Sequence, residues 1–364
     1  MKLPTTSIPL FGSVVERLRR KEPDVIGLDV GSTSVKLVQL GQTESGYALR
    51  ALATAALPPG VISEGVINDA SAVVEAIKTA VVAAGVTTTE TAIGICGREL
   101  IIKKLQIPEV PPKELPAAVQ LEAEHQIPFA IDDVFLDYHV TGRQNKLVDL
   151  ALVAAKKSKV FEYVTVAVEA GLDPVVVDVD GFALSNQFEL NAPEDTELVA
   201  IVDIGATLMK VSIVRGGQTL FVRDVAFGGN RYTDAISARL QIPALAAEAV
   251  KLGREPAADP DSVDRVRETV SRDLALELQR TFDYFASTAV ADRISKMVLA
   301  GGSASLAGLA DYLSANFGVP VDLAAPFAGI EVRPEFASRV AAAGASLAVA
   351  VGLSLRRPGD GDRP

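Results

Sequence analysis

The sequence predicts an α/β protein of two domains, because one strand–turn–strand unit occurs in it twice. The first copy runs from Asp29 to Lys36 and reads D-x-G-x-T-x-x-K, and the copy from Asp203 to Lys210 has the same pattern. Each copy follows an apolar strand and leads into a second strand and a glycine-containing turn. One such motif is weak, since acidic residues and glycine are common in turns. Two copies in matching contexts indicate duplication of a half-molecule.

Composition limits the class of protein and its partners. The 364 residues are 49% hydrophobic and 22% charged, which suits a globular chain long enough for two domains. The 35 basic and 46 acidic side chains leave a net charge of −11, so nucleic acid is not expected as a partner. Cys96, in the apolar run AIGICG, is expected to be a buried structural thiol. The histidines, His125 and His139, have no spacing typical of a zinc site or a Ser/His/Asp triad.

Two segments, the run 341–355 and the N-terminal residues, bear on localisation. The alanine-rich run 341–355 predicts a buried helix, since it is shorter than the ~20 residues of a membrane span. No apolar signal core follows the N-terminus, so we expect the protein in the cytoplasm. Residues 1–23 predict a tail, whose apolar residues and basic cluster 17–21 also allow an amphipathic segment touching a membrane surface or a partner helix.

Alternating strand and helix patterns give the expected elements in order. The first half contains the strands VIGLDVG, SVKLVQL and YALRALATAAL, a helix with an apolar face from Val73 to Ala84, and the strand TAIGI. An α+β module follows, with strands at 100–107, 135–141, 147–154 and 174–179, a helix after Pro111-Pro112 and another at 158–170. The second half contains a helix at 182–190, three strands, three helices of which the longest spans about 261–291, the strand KMVLAGG and the helix at 341–355.

These patterns divide the chain into six parts. They are an N-terminal tail (1–23), a first subdomain with the first hairpin (24–97), an inserted α+β subdomain (98–180), a second main subdomain in two pieces (181–226 and 297–356), a helical subdomain (227–296) and a mobile tail (357–364).

The hairpin motif has the chemistry of a phosphate site. Glycine lets the backbone turn tightly and bring N–H groups against an anion. In the first copy, Ser32, Thr33 and Ser34 add hydroxyl donors. Asp29 and Asp203 would repel a phosphate but suit Mg²⁺, held through water. Two facing hairpins would therefore hold phosphates from both sides; the alternative is two structural hairpins with solvated aspartates.

A third element follows in the segment Leu299–Leu309, which reads as a strand, a glycine pair and a helix start. Gly301 and Gly302 would let a flat ligand such as adenosine lie on the backbone. Alone, the pair is a turn with Ser303 as a helix cap.

Together these features resemble the actin/Hsp70/sugar-kinase superfamily, whose nucleotide site uses two phosphate loops and an adenosine motif in this order. Within it, residues 24–356 resemble the PilM family of type IV pilus assembly proteins, relatives of the division protein FtsA. The segments that carry this resemblance are IGLDVGSTSVKLVQL, 57–67, 106–140, 222–240, 247–253 and 348–356. The resemblance implies an actin-like, ribonuclease H-like duplicated two-domain α/β fold. Its subdomains would be 1A (24–97), an FtsA-type inserted 1C (98–180), 2A (181–226 and 297–356) and 2B (227–296).

The resemblance also implies ATP and Mg²⁺ as ligands and a set of residues that hold them. The first phosphate loop would be Asp29, Gly31, Ser32, Thr33, Ser34 and Lys36, with Lys36 reaching a phosphate, and the second Asp203, Gly205, Ala206 and Thr207. Glu248 and Lys251 match the pair near the ribose and base, whereas their spacing alone favours an exposed helix ion pair. Gly301, Gly302, Ser303 and Leu306 would lie against adenine, and Asp29 and Asp203 would bind Mg²⁺ through water.

The second loop departs from the superfamily pattern D-x-G-G-G-T. Ala206 and Thr207 replace two glycines and Leu208 replaces the threonine, which leaves less room for an attacking water beside the γ-phosphate. The preceding helix offers only Asn186 and Gln187 as weak catalytic candidates. We therefore expect ATP binding with at most slow hydrolysis.

The resemblance implies a cytoplasmic scaffold of type IV pilus assembly, peripheral at the inner membrane through its partners. Its main partner would be the N-terminal cytoplasmic peptide of PilN, bound near the junction of the first domain and the insert. Other inner-membrane components, motor ATPases and a second copy of the chain are further candidates. One alternative is a small-molecule kinase with Asp178 or Asp180 as the carboxylate, although both suit a helix cap. Another is an FtsA-like filament protein, whose terminal amphipathic helix has no counterpart in 356–364.

Overall fold

The computed structural model describes residues 24–288 and 293–360. The amphipathic segment considered for residues 1–23 lies outside them. In chain order the first half contains β1 (Ile26–Val30), β2 (Ser34–Thr43), β3 (Gly46–Ala56), β4 (Ile62–Ser63), β5 (Val66–Ile67), α1 (Ala70–Ala84), β6 (Glu90–Ile95), β7 (Leu100–Pro108), α2 (Leu115–Gln126), β8 (Val134–Gln144), β9 (Leu147–Lys156), α3 (Lys157–Glu169) and β10 (Asp173–Val179).

The second half begins with helix α4, which connects it to the last strand of the first half. Its elements are α4 (Asp180–Asn191), β11 (Val199–Ile204), β12 (Met209–Arg215), β13 (Gln218–Val225), α5 (Asn230–Leu240), α6 (Ala244–Lys251), α7 (Pro260–Thr288), β14 (Lys296–Ala300), α8 (Leu309–Phe317), β15 (Val321–Leu323), β16 (Ile330–Glu331), α9 (Pro334–Ala343) and α10 (Ala348–Ser354).

Five strands of each main sheet follow the same order, and the first sheet has a sixth strand, β16, at its edge. Their strand orders are β10-β6-β1-β2-β3-β16 and β15-β14-β11-β12-β13. In each sheet the first strand of the hairpin, β1 or β11, pairs antiparallel with the next strand and parallel with a strand from later in the chain. The prediction of a duplicated, actin-like α/β fold is confirmed.

Local signals explain the boundaries of α1. The Asp69 side chain accepts the N–H of Ala72 at 3.0 Å, and Gly85 ends the helix in the left-handed conformation with φ 60°. The predicted apolar face is buried, with Val73, Ile77 and Ala80 fully covered by the first sheet's core.

Helices α4 and α10 lie between the two sheets and join the halves. Helix α4 packs on β12 and β13, α10 packs on β1 and β2, and the helices pack on each other. Their backbones touch, because a Cβ on Gly352 would lie 1.8 Å from the Ala183 carbonyl oxygen. Glycine is therefore needed at this crossing.

The predicted single helix at 341–355 is wrong. Helix α9 ends before Gly344, a 3₁₀ turn spans Gly344–Leu347, and α10 begins at Ala348. By length and composition alone, the run Pro334–Ser354 resembles a membrane span. However, every residue of α10 is buried between the sheets, as expected for a core helix.

The inserted module is smaller than predicted. Its three-stranded sheet, in the order β7-β9-β8, packs with α2 around a separate core. Strand β10 instead pairs in parallel with β6 in the first main sheet, and α3 packs into that sheet's core. Residues 157–179 therefore lie in the first domain, because their apolar side chains are buried by it.

The prediction of a mobile tail at 357–364 is wrong for its first residues, 357–360. Arg356, Arg357 and Asp360 are buried, and Arg356 Nε lies 3.2 Å from Asp178 and 3.7 Å from Asp360. The Asp360 carboxylate accepts the Arg357 N–H at 2.8 Å. These paired charges hold residues 356–360 against the fold.

Candidate functional site

The two hairpin motifs have the same internal geometry. A two-residue turn places the first and last motif residues opposite each other, Asp29 against Lys36 and Asp203 against Lys210. Each pair is joined at 2.8 Å. The spacing D-x-G-x-T-x-x-K thus encodes an ion pair across each hairpin. In this structure Lys36 contacts Asp29 rather than pointing freely at a phosphate position.

The tips of the hairpins meet across the cleft. Ser32 Oγ and Thr207 Oγ1 are 2.7 Å apart, and Thr207 Oγ1 also accepts the N–H of Glu64 at 3.1 Å. Within the described residues, the N–H groups of the turn residues 32, 33, 206 and 207 have no hydrogen-bond acceptor. The facing turns therefore offer a row of backbone donors suited to an anion.

A buried charge cluster lies beside the turns. Lys210 Nζ contacts Asp203 at 2.8 Å and Asp180 at 3.1 Å. Although burial disfavours its charge, the carboxylates hold the pKa of Lys210 well above its usual value. Burial raises the pKa of Asp180 despite Lys210, whereas Lys36 and Lys210 outweigh burial at Asp29 and lower its pKa.

Asp224, on β13, is a site residue that sequence reasoning missed. Its Oδ2 accepts the N–H of Gly97 from the first domain at 2.6 Å. Burial raises its pKa to about 6, although the Gly97 N–H and Lys210 favour the charged form. Its position in a strand of ordinary polarity carried no signal, since only the packing of the halves brings it to the cleft.

The sequence suggests Asp180 only as a kinase carboxylate or a helix cap. It begins α4 inside the cluster, and α4 has no side-chain cap at Val179. Asp178 contacts Arg356 instead and accepts the adjacent Val179 N–H at 2.7 Å. The capping interpretation is wrong for both residues, and Asp178 does not join the cluster around Lys210.

The predicted adenosine-side residues converge on the second hairpin. Lys251 is buried, contacts Glu248 at 2.6 Å and donates to the Gly229 carbonyl at 3.3 Å. A Cβ on Gly229 would lie 2.1 Å from Ser303 Oγ, and Gly229 N–H donates to the Gly205 carbonyl at 2.8 Å. The pair is therefore not the exposed helix ion pair that spacing alone favours.

The two glycines after β14, Gly301 and Gly302, have different surroundings. Gly301 has φ +90°, and a Cβ there would lie 2.3 Å from Asp203 Oδ1. Nothing lies within 4 Å of a Cβ on Gly302. Leu306 is buried in the second core. Gly301 thus packs against the hairpin, and the space beside Gly302 is open.

Asn186 and Gln187 are buried within α4. They follow Asp180 by six and seven residues, a rise of about 9 and 10.5 Å along the helix. They make no hydrogen bond to either turn within the described part of the chain. Neither is brought to the two hairpin tips.

The donor set suits a phosphate together with a cation. Asp180 Oδ1 and Asp224 Oδ1 are buried without a hydrogen-bond partner. Across residues 24–288 and 293–360, no cluster of three or more His, Cys, Asp or Glu side chains could hold a metal directly. Mg²⁺ fits such a site when its other ligands are phosphate and water. Asp29 and Asp203 would orient those waters, and the turn N–H groups would hold the phosphates.

Comparisons with known proteins agree with this geometry. A family model described as type IV pilus assembly protein PilM matches residues 27–358. The chain is similar to a solved structure of a PilM-PilN type IV pilus biogenesis complex, with 29% identity, a TM-score of 0.81, and coverage of 94% of this chain and 100% of that chain.

More distant structures share the fold. The ethanolamine utilization protein EutJ from Carboxydothermus hydrogenoformans is 17% identical, with a TM-score of 0.56 and coverage of 92% and 89%. MreB 5 of Spiroplasma citri bound to AMPPNP is 14% identical, with a TM-score of 0.50 and coverage of 92% and 95%. At these identities the likeness concerns architecture alone.

Proposed function

The chain belongs to the family of the type IV pilus assembly protein PilM, and from this we propose that it is a cytoplasmic, ATP-binding scaffold whose cleft controls its affinity for a peptide of PilN. In the similar solved complex, the PilM protein is assembled with PilN. Other inner-membrane components and motor ATPases are further proposed partners. Through them the protein would lie peripherally at the inner membrane.

The single observation that carries the nucleotide proposal is the meeting of the two hairpin tips at Ser32 and Thr207, 2.7 Å apart. Bound Mg-ATP would supply the phosphate oxygens that the turn N–H groups lack and a cation for the buried carboxylates. A phosphate between the tips competes with Ser32 for the Thr207 hydroxyl. The Ser32–Thr207 hydrogen bond should therefore break when a nucleotide occupies the cleft.

Fast hydrolysis is not part of the proposal. Gly228 packs directly on the second turn, where a Cβ would lie 2.3 Å from the Ala206 carbonyl oxygen. The second turn is thus enclosed by backbone, and Ala206 and Thr207 add side chains where glycines would leave space for water. Lys210 is held by two carboxylates, and Asn186 and Gln187 lie along α4. We propose at most a slow ATPase.

A chain of contacts leads from the second turn to the insert. Thr207 accepts the Glu64 N–H, and the neighbouring Gly65 carbonyl accepts from Lys159 Nζ and from Tyr163 OH, the latter at 2.8 Å. Both of these side chains are buried on α3, which follows directly after the insert. A shift of Thr207 is therefore transmitted to the C-terminal base of the insert.

The N-terminal base of the insert has its own contact with the second half. Asp224 accepts the N–H of Gly97, three residues before β7 begins. The two bases are tied together, since the N–H of Lys156 donates to the Glu99 carbonyl at 3.0 Å. Closure of the cleft and orientation of the insert are thus linked through both ends, and linkage makes the effects of nucleotide and peptide reciprocal.

The proposed peptide site is the face where α3 meets the insert. Phe161 on α3 is 42% exposed, and its ring packs edge-on against Phe135 of β8 at 5.6 Å. Ile102 of β7 is half-buried and, like Phe135, packs against the first core, and Lys157 lies over the Phe135 ring at 5.8 Å. An exposed aromatic flanked by apolar side chains and a lysine suits a short peptide with an apolar anchor.

Thermal unfolding with and without Mg-ATP tests the nucleotide proposal. At a ligand concentration of about 100 times Kd, the folded state gains roughly 2.7 kcal/mol. The Asp203→Asn variant, compared with its own ligand-free melting temperature, should gain less. An unchanged melting temperature of the wild-type protein would contradict ATP binding.

Fluorescence anisotropy with a labelled N-terminal PilN peptide tests the coupling. Phe161→Ala should weaken binding, whereas Val168→Ala, at another exposed apolar position of α3, should not. Mg-ATP should change the peptide affinity of the wild-type protein. Equal affinity with and without nucleotide would remove the coupling but leave peptide recruitment intact.

A further inference from the structure

A groove between α5 and α7 lies in the helical part of the second half, and none of its lining residues belongs to either proposed site. It has a volume of about 300 Å³. Although the chain has 46 acidic and 35 basic side chains, no acidic residue among those the structure describes lines it. Its polar lining consists of two arginines and two hydroxyl side chains. The groove is therefore locally different in charge from the chain as a whole.

The two arginines converge on a single hydroxyl group. Arg239 donates to Ser262 Oγ from Nε at 3.3 Å and from Nη2 at 3.2 Å, and Arg265 donates to the same oxygen at 3.0 Å. Ser262 is buried, and its N–H donates to Asp259 at 3.0 Å. Two guanidinium groups are thus neighbours at one neutral acceptor.

Two of the three other arginines of α7 form ion pairs with carboxylates. Arg267 pairs with Asp264 at 3.2 Å, and Arg280 pairs with Glu277 at 2.6 Å. Asp259, beside Ser262, interacts electrostatically with both Arg239 and Arg265, but within the described residues neither arginine has a carboxylate at ion-pair distance. Adjacent like charges repel, and an anion between them relieves that repulsion. Each guanidinium also keeps N–H donors free for such an anion.

The rest of the groove is apolar. Ala235 of α5 and Val266 and Val270 of α7 form its floor beside the arginines. A ligand that matches both features has a carboxylate next to an aliphatic group. A free inorganic anion uses the arginines but leaves the floor uncovered. An acidic peptide segment with leucine-like neighbours uses both.

We propose that the α5–α7 groove docks a second protein partner through a short segment in which acidic and aliphatic side chains alternate. This site shares no residue with the nucleotide cleft or with the face around Phe161. It gives the scaffold two separate peptide-binding surfaces, one on each half.

The test uses fluorescein-labelled, end-capped Leu-Glu-Leu-Glu-Leu and its matched Leu-Gln-Leu-Gln-Leu peptide with the full chain. The acidic peptide should bind more tightly. Arg239→Gln with Arg265→Gln should weaken it about fivefold, as expected for two exposed charge pairs. Arg280→Gln, on the same helix but outside the groove, should leave binding unchanged. Circular dichroism of each variant controls for folding.

A charge exchange separates recognition from structural damage. Arg239→Glu with Arg265→Glu should lose the acidic peptide and bind Leu-Lys-Leu-Lys-Leu instead. Equal binding of the acidic and glutamine peptides, or an acidic peptide indifferent to both double variants, would overturn the proposal. Binding of inorganic phosphate without the peptide would also overturn it, since that assigns the groove to a free anion.

Discussion

Ser32 and Thr207, 175 positions apart, share a hydrogen bond of 2.7 Å between the two halves of the molecule. They occupy different positions in the two copies of the motif: Ser32 is the first turn residue of its hairpin and Thr207 the second of the other. Thr207 also receives the Glu64 N–H. The Thr207 hydroxyl thus contacts the first hairpin and also Glu64, where the chain of contacts toward the insert begins.

Thr207→Val should lower the free energy of unfolding by about 1 kcal/mol, because an isosteric side chain removes the shared hydroxyl. It should also reduce the effect of Mg-ATP on PilN peptide affinity. Chemical denaturation and peptide anisotropy measure the two effects. Thr207→Ser keeps the hydroxyl and serves as the matched control. A valine variant with full coupling would show that the route does not pass through Thr207.

Lys210→Met should destabilise the fold by about 3–5 kcal/mol, because it leaves Asp180 and Asp203 buried without their cation. Lys36→Met should cost less, since Lys36 pairs with one carboxylate and is more exposed. Asp180→Asn should recover part of the loss in the Lys210→Met background. Equal destabilisation by the two lysine variants in urea titrations would contradict the buried three-residue cluster.

Stability should fall as pH rises from about 4 to about 6. Burial raises the pKa of both Asp178 and Asp224 from 3.8 to about 6. The folded state therefore binds more protons than the unfolded state in this range, and that stabilisation is lost as pH passes the folded pKa. Asp224→Asn keeps an acceptor for Gly97 without the charge, so it should flatten part of this slope. A slope identical to wild type would show that Asp224 does not titrate there.

The two glycines after β14 should respond differently to alanine. Gly301→Ala should destabilise the protein and weaken ATP binding, since its Cβ would collide with Asp203 and its φ is +90°. Gly302→Ala should keep the wild-type melting temperature, because its Cβ meets nothing. If adenine lies beside Gly302, that variant weakens ATP binding alone. Calorimetry with ATP distinguishes these results. An unchanged ATP affinity of Gly302→Ala would show that adenine does not lie beside Gly302.

Much of the fold follows from local pattern. The two motifs predicted duplicated hairpins, and the sheets have matching strand orders. The apolar run around Cys96 predicted a buried thiol, which the structure confirms. The boundary of the insert was not predictable, because β10 reads as a strand in either context. Only its pairing with β6 assigns it to the first sheet.

The sequence by itself determined that Asp and Lys lie opposite each other in each hairpin, because the register around a two-residue turn depends on spacing. Only the structure showed that Lys36 pairs with Asp29, where the family resemblance implied a phosphate. Tertiary structure decided which further groups join them: Asp180 at Lys210, Asp224 at Gly97 and Ser32 at Thr207. These partners come from distant segments, and the packing of α4 and α10 between the sheets brings them together. Periodicity indicates which face of an element is buried, but the identity of a charge's partner depends on how the halves dock.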